Sequence, residues 1–391
     1  MMREKKVIGF VSIPNPRTNR IAWSGTFFKT AEAIGKAGYD VLWIKVHPSP
    51  ILSFLIKVML FITGRAKNWY WMLSKYYGWL CARSINNDDV RKCDYLFFAD
   101  RPQMISYIYS RIERVTNSCP PIIYYSDTTF RLMVDYYWYD IPHWIRHQAD
   151  FLEKSAMDCS TLIIKSSDWA INSVIKDYGC PESKTSVLEL GANINEKDIV
   201  VAEPYSGGEL RVLFSGVEWK RKGGDIAVET VKLLNEQGIK AKLYLVGMNK
   251  KRIPLAYQNL DCVEYVGFLN KNNPEQYKRY LDVIGKCHCL LLPTQAECAG
   301  IVFNEAAAFG LPSFTYDTGG IANYVVNNET GYRLDIHSSA QDFTNVIAKT
   351  IRNKELEKLQ KGALLLYKER NNWNRWGQKF SELIEGLSTG N

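Results

Sequence analysis

Short apolar runs alternate along the chain with longer amphipathic stretches, the rhythm of βαβ units that build a parallel sheet. The opening unit sets the pattern. Val7–Ser12 is a continuous apolar run, a loop carries Pro14, Pro16 and Gly25, and Phe27, Phe28, Ala31 and Ile34 follow at helical spacing before Gly38 stops the helix. Val41–Ile44 starts the next strand, and Tyr95–Ala99, Ile122–Tyr125 and Thr161–Ile164 predict three more, each with a helical pattern behind it. The polar, turn-rich segment Val201–Glu209 interrupts this rhythm. It restarts at Leu210–Ser215 and runs through Lys242–Val246, Val263–Val266, Cys289–Leu292 and Ser313–Tyr316, with helical sequence from Ala340 on. The expected fold class is α/β: two Rossmann-like doubly wound domains, 1–200 and 208–372, hinged at 201–209. They face a central cleft where ligands meet the carboxyl ends of the strands.

Composition agrees with two domains, since 391 residues with 46% hydrophobic and 23% charged side chains are ample for more than one core. No apolar stretch approaches the roughly 18 to 20 residues of a membrane span. A net charge of +8 with 13% aromatics suits an anionic partner, leaving nucleic acid, nucleotides and acidic lipid open. The nine cysteines lie between Cys81 and Cys298 without a zinc-type Cys-x2-Cys spacing. Cys287-His288-Cys289 reads as an alternating strand rather than a metal site, and no metal is expected. Reduced thiols and a strand-like N-terminus, too short for a signal peptide, predict a cytoplasmic protein.

Three strand, glycine turn and helix junctions carry candidate chemistry. In Leu292–Pro312 a buried strand ends, a loop holds Glu297 and Gly300, and a helix starts at Ile301, so amides around Gly300 and Ile301 suit a phosphate. Glu305 falls about two turns into that helix, and the two carboxylates could bracket a ligand's hydroxyls or be a solvated loop acid and a surface helix acid. In Val212–Asp225, Gly216 precedes three consecutive cations, Lys220, Arg221 and Lys222, where a diphosphate would gain charge-assisted hydrogen bonds unless the turn is merely solvated. Trp23-Ser24-Gly25-Thr26 is a third turn where backbone can approach a ligand.

Together these residues resemble a family 4 retaining glycosyltransferase of the GT-B architecture. Glu297 and Glu305 match its signature of two glutamates separated by seven residues, followed by Gly310, Pro312, Asp317-Thr318-Gly319-Gly320 and Gly331. Gly216 with Lys222-Gly223, Leu245-Val246-Gly247, Val266-Gly267-Phe268, Ser166–Ala170 and Leu190–Asn193 extend the match over essentially the whole chain. The resemblance implies that Glu305 holds the nucleotide ribose, Glu297 the donor sugar, and Lys222 the diphosphate. Amides after Gly300 and at Gly25 would complete the phosphate cradle, and the backbone at Gly267 and Phe268 would meet the base. It further implies metal-independent, front-face retaining transfer to a glycan or lipid-linked acceptor without a cofactor, and a terminal helix at about 373–391 that packs back on the first domain.

Two departures stand out. Val217 follows Gly216 where family members often carry an arginine, and Arg221 or Lys220 would have to substitute. Asp127 stands where the family often has a histidine facing the sugar. Its carboxylate can accept a hydrogen bond from a sugar or acceptor hydroxyl but cannot donate one while ionised. The catalytic candidates are therefore Glu297, Asp127 and Lys222. Donor-binding candidates are Gly25, Gly216, Arg221, Lys222, Gly247, Gly267, Phe268, Glu297, Gly300, Ile301 and Glu305. A catalytically silent nucleotide-sugar-binding subunit is the alternative, and no nucleic-acid module appears.

On the acceptor side, Val41–Asn87 contains no Asp or Glu but holds Lys45, Lys57, Arg65, Lys67, Lys75 and Arg83 around the apolar stretch 51–62 and many aromatics. Residues 51–83 read equally as a peripheral contact with an anionic membrane, on its cytoplasmic face, and as a buried helix with basic flanks. In 126–139, Asp127, Thr128 and Arg131 are cleft candidates, and most of the rings are expected in the core.

Overall fold

The computed structural model describes residues 5–63 and 69–389. The chain divides into two compact units, residues up to Leu188 together with those from Gly377, and Glu189–Trp376. Residues 189–207 thus belong to the second unit.

The first unit is a six-stranded parallel sheet in the order β2-β1-β3-β4-β5-β6, from β1 Val7–Ser12, β2 Asp40–Lys45, β3 Tyr95–Ala99, β4 Ile122–Ser126, β5 Leu162–Lys165 and β6 Thr185–Val187. The second repeats the plan as β12-β11-β10-β7-β8-β9, from β7 Leu210–Ser215, β8 Ala241–Val246, β9 Val263–Gly267, β10 Cys289–Leu292, β11 Ser313–Tyr316 and β12 Gly331–Leu334. Every residue of β3, β4, β5, β10 and β11 is buried, as expected of strands covered by helices on both faces. The core crosses these strands: Phe10 lies 5.1 Å from Phe97, and Phe97 lies 5.7 Å from Tyr125, ring centre to ring centre.

The first unit's helices are α1 Thr26–Lys36, α2 Pro50–Ile62, α3 Lys75–Arg83, α4 Asn87–Val90, α5 Ile105–Thr116, α6 Phe130–Met133, α7 His143–Cys159 and α8 Asp168–Lys176. The second carries α9 Trp219–Lys222, α10 Gly224–Glu236, α11 Pro274–Lys286, α12 Ile301–Ala308, α13 Ala340–Arg352 and α14 Leu356–Glu369, and α15 Trp373–Thr389 ends the described chain. Local sequence explains several starts. Asn273 caps α11 by accepting from the amides of Glu275 and Gln276, and Ser339 with Asp342 forms a capping box on α13. Within the first unit, Phe380 of α15 is fully buried against Tyr39 and Phe97, and Ser381 lies 3.1 Å from the Tyr39 hydroxyl.

Strand order places the reversal points. In the first unit the chain turns from β1 outward to β2 on one side and resumes at β3 on the other. In the second it does so between β7 and β10. Open α/β sheets hold ligands at the carboxyl ends of strands at such points.

The buried reading of residues 51–62 is not what the structure has. In α2 only Leu60 is buried, while Ile51, Phe54, Leu55, Phe61 and Ile62 are 55 to 77% exposed. The periodicity could not separate the two readings because α2 is apolar on all sides, so no face is marked as inner. Arg65 and Lys67 lie outside the described residues. No helix among the described residues is long and apolar enough to cross a membrane. Of the rings in 126–139, Phe130 alone is fully in the core; Tyr136, Tyr137 and Trp138 are half-buried and Tyr139 is exposed.

Candidate functional site

The second unit's reversal point gathers two of the three predicted cations and one predicted carboxylate. Lys222 ends α9, just after β7, and Glu297 sits in the loop after β10. The Lys222 ammonium contacts Glu297 Oε2 directly, with the two side chains only 10% and 12% exposed. Arg221 approaches the same oxygen at 3.7 Å, donates to the Ala296 carbonyl at 3.0 Å and pairs with Glu218 at 3.1 Å. Lys220 instead points outward to Asp225 at 3.5 Å, 82% exposed. Val217 is 49% exposed. Arg221 therefore supplies a guanidinium to this loop, through a position five residues after Gly216.

Glycine makes that geometry available. A Cβ on Gly216 would come within 2.9 Å of Lys222 Cγ, so a side chain there would push the lysine off its line to Glu297. Gly300, the N-cap of α12, has φ 74°, and a Cβ on it would meet the Phe303 ring at 2.5 Å and Glu297 Cγ at 2.9 Å. The loop is further tied by the Gly320 amide to the Glu297 carbonyl at 3.2 Å. Ile301, the first residue of α12, is half-buried, so the amide end of this helix stands at the carboxyl edge of β10 beside Glu297.

Gly216, Gly247 and Gly267 line up along the same edge. The Gly216 amide donates to Val246 and the Gly247 amide to Gly267, at 3.0 and 2.9 Å. Phe268, next in the chain, is 61% exposed.

Glu305 has a separate setting, 2% exposed on α12. It accepts from Lys271 at 2.5 Å on one oxygen and from the Tyr280 hydroxyl at 2.5 Å on the other. Burial, then the carboxylate beside it, pushes the Tyr280 phenol well up, so it stays a donor. Each Glu305 oxygen keeps a second lone pair for a further donor. Lys271 and Tyr280 are partners that sequence reasoning missed. They lie far from Glu305 in the chain and have no spacing that links them; only the fold of α11 onto α12 brings them in.

The other predicted residues are in the first unit. Gly25 caps α1 with φ 93°, after Trp23 and Ser24 at φ 49° and 55°, three successive left-handed residues at the carboxyl end of β1. The Trp23 indole donates to Asp127 Oδ2 at 3.1 Å. Burial first, then the nearby Asp100 charge, pushes Asp127 up to about 6.

Beyond β3 and β4 lies a cavity of about 270 Å3, walled by Trp69, Phe130, Met133 and Trp138 and bounded by Asp100, Thr128 and Glu153. Asp100 and Arg101 on its rim are consecutive left-handed residues, φ 62° and 58°, a costly conformation for side chains with a Cβ. Glu153 in its lining is held in a buried pair with Lys165 at 3.7 Å, with Tyr124 donating to Glu153 at 2.8 Å and Lys165 donating to the Thr128 carbonyl at 2.8 Å. Burial raises the Glu153 carboxyl and lowers the Lys165 ammonium. Lys165 ends an otherwise apolar strand, a charge in a buried run that could have flagged it. Thr128 reaches this cavity, whereas Arg131 is held at 2.7 Å by Asp150 instead. His288 is structural: its Nδ1 accepts from the Arg211 amide, and burial lowers it to about 4.

Residues 196–363 match the family model described as Glycosyl transferases group 1. Among curated proteins the chain is similar to the amylovoran biosynthesis glycosyltransferase AmsK of Erwinia amylovora, 27% identical over 165 residues, 39% of this chain and 39% of that protein. The curated relatives it matches are spanned over at most half of their own length. Sucrose-phosphate synthase from Thermosynechococcus elongatus superimposes with a TM-score of 0.67 at 14% identity, over 99% of this chain and 100% of that one. Anabaena HepE, solved in complex with UDP-glucose, does so at 0.61 and 14%, over 97% and 99%. The likenesses establish the GT-B fold for the two parallel-sheet units.

Proposed function

We propose, from the match of residues 196–363 to the family model Glycosyl transferases group 1, that the chain is a retaining glycosyltransferase of the family 4 kind. It moves a sugar from a nucleoside-diphosphate sugar to a glycan or lipid-linked acceptor at an anionic membrane surface on the cytoplasmic side. The observation that carries the reading is the convergence of Lys222, Arg221 and Glu297 at the β7/β10 reversal point, beside the amide end of α12. A diphosphate there meets two cations and a helix dipole, and a sugar attached to it meets a carboxylate. HepE, which shares the fold, is known with UDP-glucose, and CapM of Staphylococcus aureus, 26% identical over 47% of this chain and 50% of that protein, is named for capsular polysaccharide biosynthesis; both support donor and product classes of this kind.

In this mechanism Lys222, Arg221 and the amides after Gly300 stabilise the departing diphosphate, with no metal or cofactor. Glu297 orients the sugar through its hydroxyls and Glu305 the ribose. The acceptor hydroxyl attacks from the face of the leaving group, and its proton passes to the donor's own phosphate oxygen as the sugar–phosphate bond breaks, so no protein nucleophile is required. The first unit's cavity, with rings for a sugar face and Asp100, Thr128 and Glu153 for its hydroxyls, is the acceptor subsite in this reading. Proton NMR of the product formed with a chelator present tests it: the anomeric configuration of the donor sugar should be kept, and inversion or loss of turnover on chelation would refute the mechanism.

A further inference from the structure

Helix α2 and a basic groove share a neighbour, the helix α3. α2 and α5 both pack against α3, whose Trp79 and Arg83 form one wall of a groove of about 390 Å3. The facing wall is α5, with Tyr107, Arg111 and Arg114. Three guanidinium groups thus line one groove that includes no carboxylate. Their partners are neutral: Arg83 lies 4.9 Å from the centre of the Trp79 ring, Arg111 donates to the Ala82 carbonyl, and Arg114 donates to the Ser110 carbonyl at 3.1 Å. Glu113, the acidic residue of this stretch of α5, is not among the residues that line the groove. Like charges gathered this way repel unless an anion sits among them. Next to them α2 presents Ile51, Phe54, Leu55, Val58, Phe61 and Ile62 to solvent, a far larger apolar surface than a lone exposed side chain.

We propose that α2 and the Arg83–Arg111–Arg114 groove form one membrane-docking face, α2 lying in the headgroup region of an anionic phospholipid leaflet while the groove takes a lipid phosphate. Charge complementarity selects this occupant. The stretch Val41–Asn87 has no acidic residue, so a second copy of the chain docking on the same face would set cations against cations. A bilayer surface supplies both an apolar layer for α2 and phosphates for the arginines, and each cation near it contributes about 1 kcal/mol, about fivefold in affinity. The inference rests on the membrane contact in the proposed function and gives it a site.

The test is sedimentation of the full chain with phosphatidylcholine vesicles, with and without phosphatidylglycerol, at rising salt. The chain should bind the anionic vesicles, and salt should weaken the binding. Arg83→Gln with Arg114→Gln, both exposed positions, should weaken it about 30-fold, the effect of two interfacial cations. Phe54→Ser with Phe61→Ser should abolish it. Equal binding to neutral vesicles, unchanged binding by either double variant, or a dimer that dissociates in the Phe54→Ser/Phe61→Ser protein would overturn the proposal. So would suppression of vesicle binding by inorganic phosphate at low concentration, which would mark a free-phosphate site. Release of nucleoside diphosphate from a soluble donor, measured without vesicles, separates the two claims. Turnover without vesicle binding refutes the docking face alone; vesicle binding with no turnover, even with sugar and lipid-linked acceptors supplied, leaves it standing and refutes the enzyme.

Discussion

Lys222 is engaged with Glu297, so a diphosphate has to share or displace that contact, and this gives a prediction opposite to the usual effect of damaging a site. Glu297→Gln keeps the shape and removes one negative charge. A phosphate oxygen on the far side of the Lys222 ammonium lies two hydrogen-bond lengths from the carboxylate, about 5 to 6 Å. At an effective dielectric of 20 the repulsion between them is about 3 kcal/mol. Water on the donor side and salt remove about half of it, leaving about 1.4 kcal/mol, or about tenfold in affinity. Glu297→Gln should therefore bind the bare nucleoside diphosphate about tenfold tighter while its sugar transfer collapses. Titration calorimetry with UDP and GDP on both proteins, at low and high salt, measures it, and the gain should shrink as salt rises. Weaker or unchanged diphosphate binding in a folded Glu297→Gln protein would refute the placement of the diphosphate on Lys222.

Lys222→Ala should lower kcat about 10²- to 10³-fold, as expected for losing one preorganised donor to the leaving group, with circular dichroism unchanged; a fall under tenfold would remove Lys222 from that role. Phe97→Ala empties the centre of the first sheet and should cost about 3 to 5 kcal/mol in urea unfolding, whereas a cost under 1 kcal/mol would contradict the packing described. For Asp127 the folded carboxyl titrates near 6 against an ordinary value near 4, so its contribution to stability is complete below pH 4 and is lost as pH rises through 6. Asp127→Asn should therefore gain up to about 3 kcal/mol on wild type between pH 4 and pH 8, read as the difference in urea unfolding, and a pH-independent difference would contradict the burial of this group.

The fold was legible where burial is total. Strands such as β3, β4 and β10 are covered on both faces and appear in the sequence as unbroken apolar runs. The edge strands β6 and β12 were not, because Thr185–Val187 and Gly331–Leu334 are short, half-buried and mixed in polarity. In the site, Glu297, Gly300, Gly216 and Lys222 follow the ends of readable strands, so their common edge could be inferred from order alone. That Lys222 and Glu297 touch could not, since it depends on β7 and β10 being neighbours in the sheet. Lys271, Tyr280 and the pairing of Glu153 with Lys165 were out of reach for the same reason, since they meet across elements; Lys165 alone carried a signal, as the charge that ends an apolar strand. Helix α2 failed differently, because an element apolar all round gives no inward face to read.

The most direct measurement is release of nucleoside diphosphate from a panel of UDP-, GDP- and other nucleotide-sugars by the purified chain, with Glu297→Ala and Glu305→Ala beside it. Release from one donor, lost in both variants, is the predicted result. Saturable donor binding with no release, even with sugar and lipid-linked acceptors supplied, would contradict it and leave a nucleotide-sugar-binding subunit, with Val217 and Asp127 as the residues to explain.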